Sequence, residues 1–219
     1  MAKPHQPAGI EVLAGTNGAG KSSVAGVAFR RNGGDYFNPD EVTRRILVAH
    51  PDVSEAEANS TAWLQGKRLL ERAIAGRLDL AFETTLGGHT ITALLEQALD
   101  EGIDVRMSFV GLDSPERHIA RVKARVTQGG HHIPEEKIRE RYDASRANLL
   151  RLLPRLTELR LFDNSAEADP ATGHTPEPLL VLHMKRGTMA AMCAPGDVPG
   201  WAKPIVAAAL RAARTTFLR

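Results

Sequence analysis

The most informative segment of the sequence is a glycine-rich run that ends in a lysine and a serine. Residues 15–22 read Gly-Thr-Asn-Gly-Ala-Gly-Lys-Ser and fit the pattern G-x-x-x-x-G-K-[ST]. In such a loop the glycines let backbone N–H groups point at phosphate oxygens, the lysine reaches the β- and γ-phosphates, and the serine hydroxyl helps to hold Mg²⁺. Ser22 is therefore the predicted metal ligand. The predicted nucleotide-binding residues are Gly15, Thr16, Asn17, Gly18, Ala19, Gly20, Lys21, Ser22 and Ser23.

Two carboxylates are candidates for chemistry on those phosphates. Asp40 follows a short predicted strand, and Glu83 ends an apolar run. The carboxyl ends of parallel strands open onto one crevice, so we expect both acids near the glycine loop. Asp40 can take the proton from a substrate hydroxyl that attacks the γ-phosphate, or, with Glu41, complement only the dipole of its own helix. We expect Glu83 to assist Mg²⁺ or bind a substrate hydroxyl, and Thr84 and Thr85 to add hydroxyl donors, although β-propensity alone also explains the threonines.

A third group of residues is basic. Between residues 117 and 160 the chain carries a surplus of arginine and lysine over acidic residues, in a region expected to close over the phosphates. Arginines brought in by a lid stabilise the charge on a transferring phosphoryl group, whereas a single arginine is often an ordinary solvated residue. Arg121 and Arg125 are four positions apart, so they share one face of a predicted helix. They are candidate catalytic residues together with Lys21 and Asp40.

Strand and helix signals alternate along the chain and place these residues on turns after strands. Asn38 followed by Pro39 has the pattern of a helix start. The alternation predicts an α/β fold of the P-loop NTPase type, with a mostly parallel sheet and helices on both faces. We predict a single domain over residues 1–219. Its parts include a helical, lid-like lobe at 114–153, a loop at 166–178 and a C-terminal helix at 197–214.

The composition excludes several classes of protein. With 219 residues, 42% hydrophobic and 25% charged, the chain has an ordinary globular composition. A formal net charge of +2 and 5% aromatic residues disfavour general binding to nucleic acids or membranes and modules that stack bases. Cys193 is the single cysteine and cannot close an internal disulfide, and neither a secretory signal nor an apolar run of membrane length is evident. We therefore expect a cytoplasmic protein.

The order of several motifs resembles the zeta-toxin-like P-loop kinases, a group that includes UDP-N-acetylglucosamine kinases and predicted ABC-type ATPases. The resemblance covers residues 10–165 and is carried by GTNGAGKSS, NPDEV, FETTLGG, RVKARVTQGGHHIPEEKIRERYDASRANL and LFDNS. The glycine loop is generic, whereas the ordered set with the GGHHIP…RY…S…NL stretch is specific to the group.

This resemblance implies a kinase that uses ATP and Mg²⁺. The implied acceptor is a hydroxyl of a UDP-amino sugar such as UDP-N-acetylglucosamine, and a toxin role implies an antitoxin protein as a partner. The residues that it assigns are Lys21 and Ser22 for ATP and Mg²⁺, Asp40 as general base, Glu83 as an acid of the substrate site or metal shell, and Arg125, Arg121 and Arg141 as lid arginines.

Two other functions stay open at this point. A P-loop NTPase that is not a kinase hydrolyses its nucleotide without an acceptor, but the sequence has neither the LSGGQ-like signature of transport ATPases nor the NKxD base reader of GTPases. A nucleotide-dependent binding module uses the arginine-rich lobe on a nucleic acid or a protein. Aromatic residues do not interleave with these arginines, which disfavours a nucleic-acid partner.

Overall fold

A sheet of seven strands forms the centre of the computed structural model, which describes residues 8–24, 36–127, 130, 132–167 and 177–217. The strands are Gly9–Ala14 (β1), Tyr36–Phe37 (β2), Leu80–Thr84 (β3), Asp104–Gly111 (β4), Glu158–Asp163 (β5), Leu179–Lys185 (β6) and Thr188–Met192 (β7). Within the described residues their order in the sheet is β2-β3-β1-β4-β5-β6-β7. The first five strands pair in parallel, and β6 and β7 extend the sheet as antiparallel strands. The predicted α/β fold with a mostly parallel sheet is therefore confirmed.

Helices lie between the first five strands, and three of them begin after a capping residue that the sequence shows. The α-helices of the described residues are Lys21–Val24 (α1), Pro39–Ala49 (α2), Glu55–Gly76 (α3), His89–Asp100 (α4), Pro115–Val126 (α5), Glu135–Leu152 (α6) and Lys203–Phe217 (α7). Asn38 and Ser114 cap α2 and α5, and Ser54 forms a capping box with Glu57 at the start of α3. Each cap accepts from backbone N–H groups that have no partner inside the helix.

The sheet brings three sequence-distant turns to one edge. In the parallel register, Ala14 of β1 lies beside Thr84 of β3, and Phe37 of β2 lies beside Phe82. The residues that follow these strands therefore emerge side by side at the carboxyl edge of the sheet, where open α/β sheets form a crevice. The strands themselves are anchored in the core, where Ile10 is fully buried, and burying such a side chain contributes about 1.5–3 kcal/mol.

The helix predicted at 197–214 is wrong at its start. Residues 195–202 contain two short 3₁₀ turns, and α7 begins only at Lys203. The residue before a proline is disfavoured in the helical region, and Val198, which precedes Pro199, is extended with a ψ of 114°. Pro204, by contrast, lies in the first turn of α7, where no N–H is needed.

A strand that the sequence analysis did not predict, β7, follows β6 through a tight turn at Arg186 and Gly187. Both turn residues have positive φ angles, 48° and 72°, as the hairpin turns that match strand twist require. In the sequence, Gly187 was the feature that could have indicated this hairpin turn. Most of the predicted loop at 166–178 lies outside the described residues, as does the predicted helix after the glycine loop beyond Val24. No helix in the described ranges is both long and apolar enough to cross a membrane.

Candidate active site

The glycine loop, residues 15–22, leaves the end of β1 and leads into α1. Gly15 anchors it, because its N–H donates to Thr84 O at 3.2 Å and its φ of 142° suits glycine. A Cβ on Gly15 would lie 2.1 Å from Val110 O, so no larger residue fits. The loop therefore sits tightly on the neighbouring strands β3 and β4.

Lys21, the lysine of the loop, is buried and points back into it. Its Nζ donates to Gly15 O at 2.7 Å and lies 3.4 Å from Glu83 Oε1. Both side chains of this ion pair are nearly inaccessible, at 8% and 10% exposure. A buried charge needs a partner, so each of these groups holds the other in place.

Glu83, at the end of β3, is the centre of a polar network. Its Oε2 accepts from Tyr36 Oη at 2.7 Å, from Asn38 Nδ2 at 3.1 Å and from Ser22 Oγ at 3.3 Å. The side-chain oxygen of Asn38 in turn accepts from the backbone N–H of Asp40 at 2.9 Å. One asparagine thus joins Glu83 to the first turn of the helix that carries Asp40.

Asp40 faces the same space as Lys21. Both residues line a pocket of about 360 Å³. The Asp40 carboxylate also lies 3.8 Å from Nη1 of Arg125, which is not one of the lining residues. Each side chain of that ion pair is about 43–44% exposed, so the pair is solvent-screened and easily opened. The other residues that this pocket brings together include Asn17, Phe37, Asn38, Asn59, Trp63, Lys67, Phe82, Glu83, Thr84, Thr85, Ile133, Lys137 and Arg141.

The two helices of the lid-like lobe, α5 and α6, contact the glycine loop directly. Arg141 Nη1 donates to Asn17 Oδ1 at 2.8 Å, and Thr16 Oγ1 lies 3.1 Å from Ser145 Oγ. From α5, His118 Nδ1 lies 2.8 Å from Asn17 O, and because a carbonyl only accepts, Nδ1 carries the proton. Residues of both helices therefore hold the loop in place.

Burial lowers the pKa of His118 from 6.5 to about 4. The hydrogen bond to Asn17 O and the charge of Asp113 act in the opposite direction, while Lys21 and Arg121 lower the pKa further. The ring is 1% exposed and packs edge-on against Tyr142, with centroids 5.6 Å apart. His118 is therefore neutral at physiological pH.

The structure places most of the sequence-predicted catalytic and substrate-binding residues in the pocket, but not all of them. Lys21, Asp40, Glu83 and Arg141 line one pocket, together with Thr84 and Thr85. Both threonine hydroxyls also accept from backbone N–H groups of the next turn, which makes them part of the local turn as well as of the pocket wall. Arg121 and Arg125 do not line the pocket. Arg121 donates to Ala166 O at 3.1 Å, and Arg125 pairs with Asp40. The side chain of Ser23 lies outside what the structure describes.

Sequence reasoning missed Tyr36 and His118 as parts of the site. Tyr36 precedes Phe37, so strand alternation puts the two side chains on opposite faces of the sheet. His118, Ile119 and Val122 are the buried residues of α5, and their helical spacing was a readable sign that this histidine faces inward.

The oxygen atoms of Ser22 and Glu83 are suitable ligands for Mg²⁺. Ser22 Oγ and Glu83 Oε2 are hard oxygen donors 3.3 Å apart next to the loop lysine. Magnesium is typically held by one or two protein oxygens together with phosphates and waters, and such a site needs no all-protein cage. Accordingly, a cluster of three or more His, Cys, Asp or Glu side chains suited to a metal is not required, and the described residues contain none.

A mostly parallel sheet whose first strand leads into a glycine loop, with a lysine and a carboxylate beside it, defines an α/β protein with a P-loop kinase-like fold. The chain belongs to the zeta toxin family, since the family model described as "Zeta toxin" matches residues 2–168. An uncharacterized protein of Haemophilus influenzae is 30% identical over 129 residues, which is 58% of this chain and 88% of that protein.

Solved structures with the same fold are more distant in sequence. The AvrRxo1-ORF1:-ORF2 complex with ATP contains a chain that is similar with a TM-score of 0.65 and 17% identity, covering 94% of this chain and 64% of that one. A chain of the PezAT toxin–antitoxin system of Streptococcus pneumoniae has a TM-score of 0.55 and 13% identity, covering 100% and 90%. This chain spans 61–71% of the length of the AvrRxo1 chains. At these identities the likeness concerns the fold.

Proposed function

We propose that this protein is a kinase that transfers the γ-phosphoryl group of ATP to a hydroxyl of a small molecule, with Mg²⁺ and in the cytoplasm, and that the chain acts as one P-loop kinase domain. The observation that carries the proposal is the pocket of about 360 Å³ that Lys21, Glu83 and Asp40 share. Its volume falls in the range of small-molecule sites. The pocket runs from Lys21 of the glycine loop to Trp63 and Lys67 of α3, so it offers room for an acceptor beside the terminal phosphates.

The glycine loop and Lys21 are the proposed phosphate site. Backbone N–H groups of the loop bind the phosphates, and Lys21 exchanges its contacts with Gly15 O and Glu83 for contacts with the β- and γ-phosphates. Ser22 and Glu83 are the proposed holders of Mg²⁺, which when bound neutralises charge on the phosphates. Tyr36 and Asn38 keep the Glu83 carboxylate oriented.

Asp40 is the proposed general base. A carboxylate that receives the proton of the acceptor hydroxyl must lie within hydrogen-bond reach of it. Asp40 lines the pocket, and the cap of Asn38 fixes the backbone that carries it. Thr84 and Thr85 are proposed to contact the acceptor from the end of β3.

Arg141 and Arg125 are the proposed stabilisers of charge on the transferring group. Arg141 already lies on the glycine loop through Asn17, and Arg125 pairs with Asp40, which lines the pocket. Positive groups placed before reaction stabilise the transition state without reorganisation. Arg121 contacts Ala166 in this structure, so its participation requires a movement of the lid.

The favoured acceptor is a UDP-amino sugar such as UDP-N-acetylglucosamine. Lys67 and Lys137 provide cations for a diphosphate, and Trp63, 44% exposed, provides a flat ring for a base. Membership of the zeta toxin family and the likeness to PezAT, which is described as a toxin–antitoxin system, support a toxin role with an antitoxin protein as partner.

ATP consumption against a panel of nucleotide sugars tests the proposal, with the product identified by mass spectrometry. We expect one sugar nucleotide to accelerate ADP release and to gain a phosphoryl group. Asp40→Asn should bind ATP nearly as the parent does but turn over at least about 10²-fold more slowly, because general base catalysis is lost. The exposed Asp52→Asn is the matched control and should keep parental turnover.

Three results would contradict the proposed function or the proposed role of Asp40. If ATP is hydrolysed and no acceptor becomes phosphorylated, the protein is an NTPase and not a kinase. Salt-sensitive binding of RNA or DNA without ATP consumption points to a nucleotide-dependent binding module. Parental turnover in Asp40→Asn removes Asp40 as the base.

A further inference from the structure

The side chain of Asn17 has a contact that the phosphate-loop pattern does not require. Position 17 is one of the unspecified positions of G-x-x-x-x-G-K-[ST], where the backbone N–H serves the phosphates and any side chain is allowed. Asn17 is nevertheless 7% exposed, and its Oδ1 accepts from Arg141 Nη1 at 2.8 Å. A hydrogen bond from a charged donor is stronger than a neutral one, so this contact is a substantial constraint on the arginine.

The other end of Arg141 is also fixed. A Cβ on Gly87 would lie 2.8 Å from Arg141 Cγ, so the arginine stem rests against a glycine that leaves it just enough room. The Gly87 turn is itself tied to α6, because Asn148 Nδ2 donates to Leu86 O at 2.8 Å. The stem is therefore held by the turn after β3, and the guanidinium is held by Asn17.

The glycine loop does not depend on the Asn17 side chain for its own position. The backbone carbonyl of Asn17 accepts from His118, and Thr16 contacts Ser145. Gly15 N donates to Thr84 O. Removing the Asn17 side chain beyond Cβ leaves all of these contacts in place, so its effect on Arg141 can be measured separately.

We propose that Asn17 is a positioning residue: its side-chain oxygen holds the Arg141 guanidinium at the glycine loop, so that the arginine is already in place when a terminal phosphoryl group is transferred. This inference rests on the proposed kinase function. Without Asn17, an arginine has several rotamers available and spends much of its time in solvent. Groups that are preorganised contribute more to catalysis than groups that must be recruited during the reaction.

A spectroscopic experiment tests the positioning without any need for activity. Restricted rotation of the Arg141 guanidinium is measured by ¹⁵N NMR of the arginine side chains, with the signal assigned from its loss in Arg141→Lys. We expect slow, restricted rotation in the parent and fast, averaged rotation in Asn17→Ala, while the melting temperature and the signals of the other arginines change little. Equal mobility of Arg141 in both proteins overturns the proposal.

A kinetic double-mutant cycle tests the consequence for the reaction. Asn17→Ala should lower kcat about ten-fold, with KM for ATP within about two-fold of the parent, because the misplaced group acts in the transition state. The same substitution should have no further effect in an Arg141→Ala background, since both remove the same contribution. Arg139→Ala, on the exposed side of the same helix and paired with Glu116, is the control and should keep parental kcat.

The outcomes separate a failure of the positioning role of Asn17 from a failure of the proposed kinase function. Multiplicative losses from Asn17→Ala and Arg141→Ala, or a loss confined to KM, overturn the positioning role. If the parent phosphorylates no acceptor, the proposed function fails, and the NMR result then decides by itself whether Asn17 holds Arg141.

Discussion

Acid should weaken this fold measurably through one buried histidine. His118 is held neutral inside the contact between α5 and the glycine loop, where its Nδ1 donates to Asn17 O and its ring packs on Tyr142. Its pKa is about 4 in the folded protein, against 6.5 for an unperturbed histidine. As the pH falls below 6.5, the unfolded chain binds a proton that the folded protein does not, so the free energy of unfolding falls.

The size of the effect follows from that difference in pKa. Between pH 7 and pH 5, the unfolded state becomes almost fully protonated at this histidine while the folded state does not. The linkage relation then gives a loss of about 2 kcal/mol from this one group. Over the full interval down to the folded pKa, the loss approaches about 3 kcal/mol. Either amount is a large part of the stability of an ordinary domain.

Urea unfolding at pH 7 and pH 5 measures the loss, and His118→Asn isolates it. Asparagine keeps an N–H donor near the Nδ1 position and cannot be protonated. The variant has a cavity and is less stable at both pH values, but it should lose about 2 kcal/mol less than the parent between them. The exposed His50→Asn is the matched control and should behave as the parent does. Equal pH dependence in the parent and in His118→Asn refutes the reasoning, because carboxylates contribute equally to both.

Two further predictions concern the buried ion pair. Lys21→Ala should abolish phosphoryl transfer in the nucleotide-sugar screen and weaken ATP binding by calorimetry, whereas the exposed Lys185→Ala should do neither; retained transfer removes the loop lysine from the mechanism. Glu83→Gln keeps the size of the side chain but leaves the Lys21 ammonium without its counter-charge, so urea unfolding of the nucleotide-free protein should show a loss of about 3 kcal/mol. Coinciding unfolding curves for Glu83→Gln and the parent contradict that assignment.

Much of the fold could be predicted because its signals are local. Asn38, Ser54 and Ser114 end extended segments and begin helices through hydrogen bonds within three residues, which makes a helix start legible in the sequence. The alternation of strands and helices then requires a parallel sheet. The C-terminal helix was predicted to start too early, although Pro199 disfavours a helical conformation at the residue before it. The strand β7 was missed because its small residues give only a weak alternation.

The candidate site could be predicted only in part. Asp40 and Glu83 were identified because acids that follow strands in a parallel sheet lie at one edge. The contact of Tyr36 with Glu83 spans 47 positions of sequence and exists only through the pairing of β2 with β3. Nothing in the spacing of the basic lobe separates Arg141, which reaches the glycine loop, from Arg121, which contacts Ala166 instead.

The sequence by itself determined the glycine loop, the helix starts at Asn38, Ser54 and Ser114, and the order of the parallel strands, since each depends on the chemistry of neighbouring residues. The tertiary structure alone decided which side chains converge on Glu83 and which arginine lies on the loop. Those outcomes depend on strand register and on how α5 and α6 pack against the glycine loop, and both are set by packing between segments that are far apart in the chain.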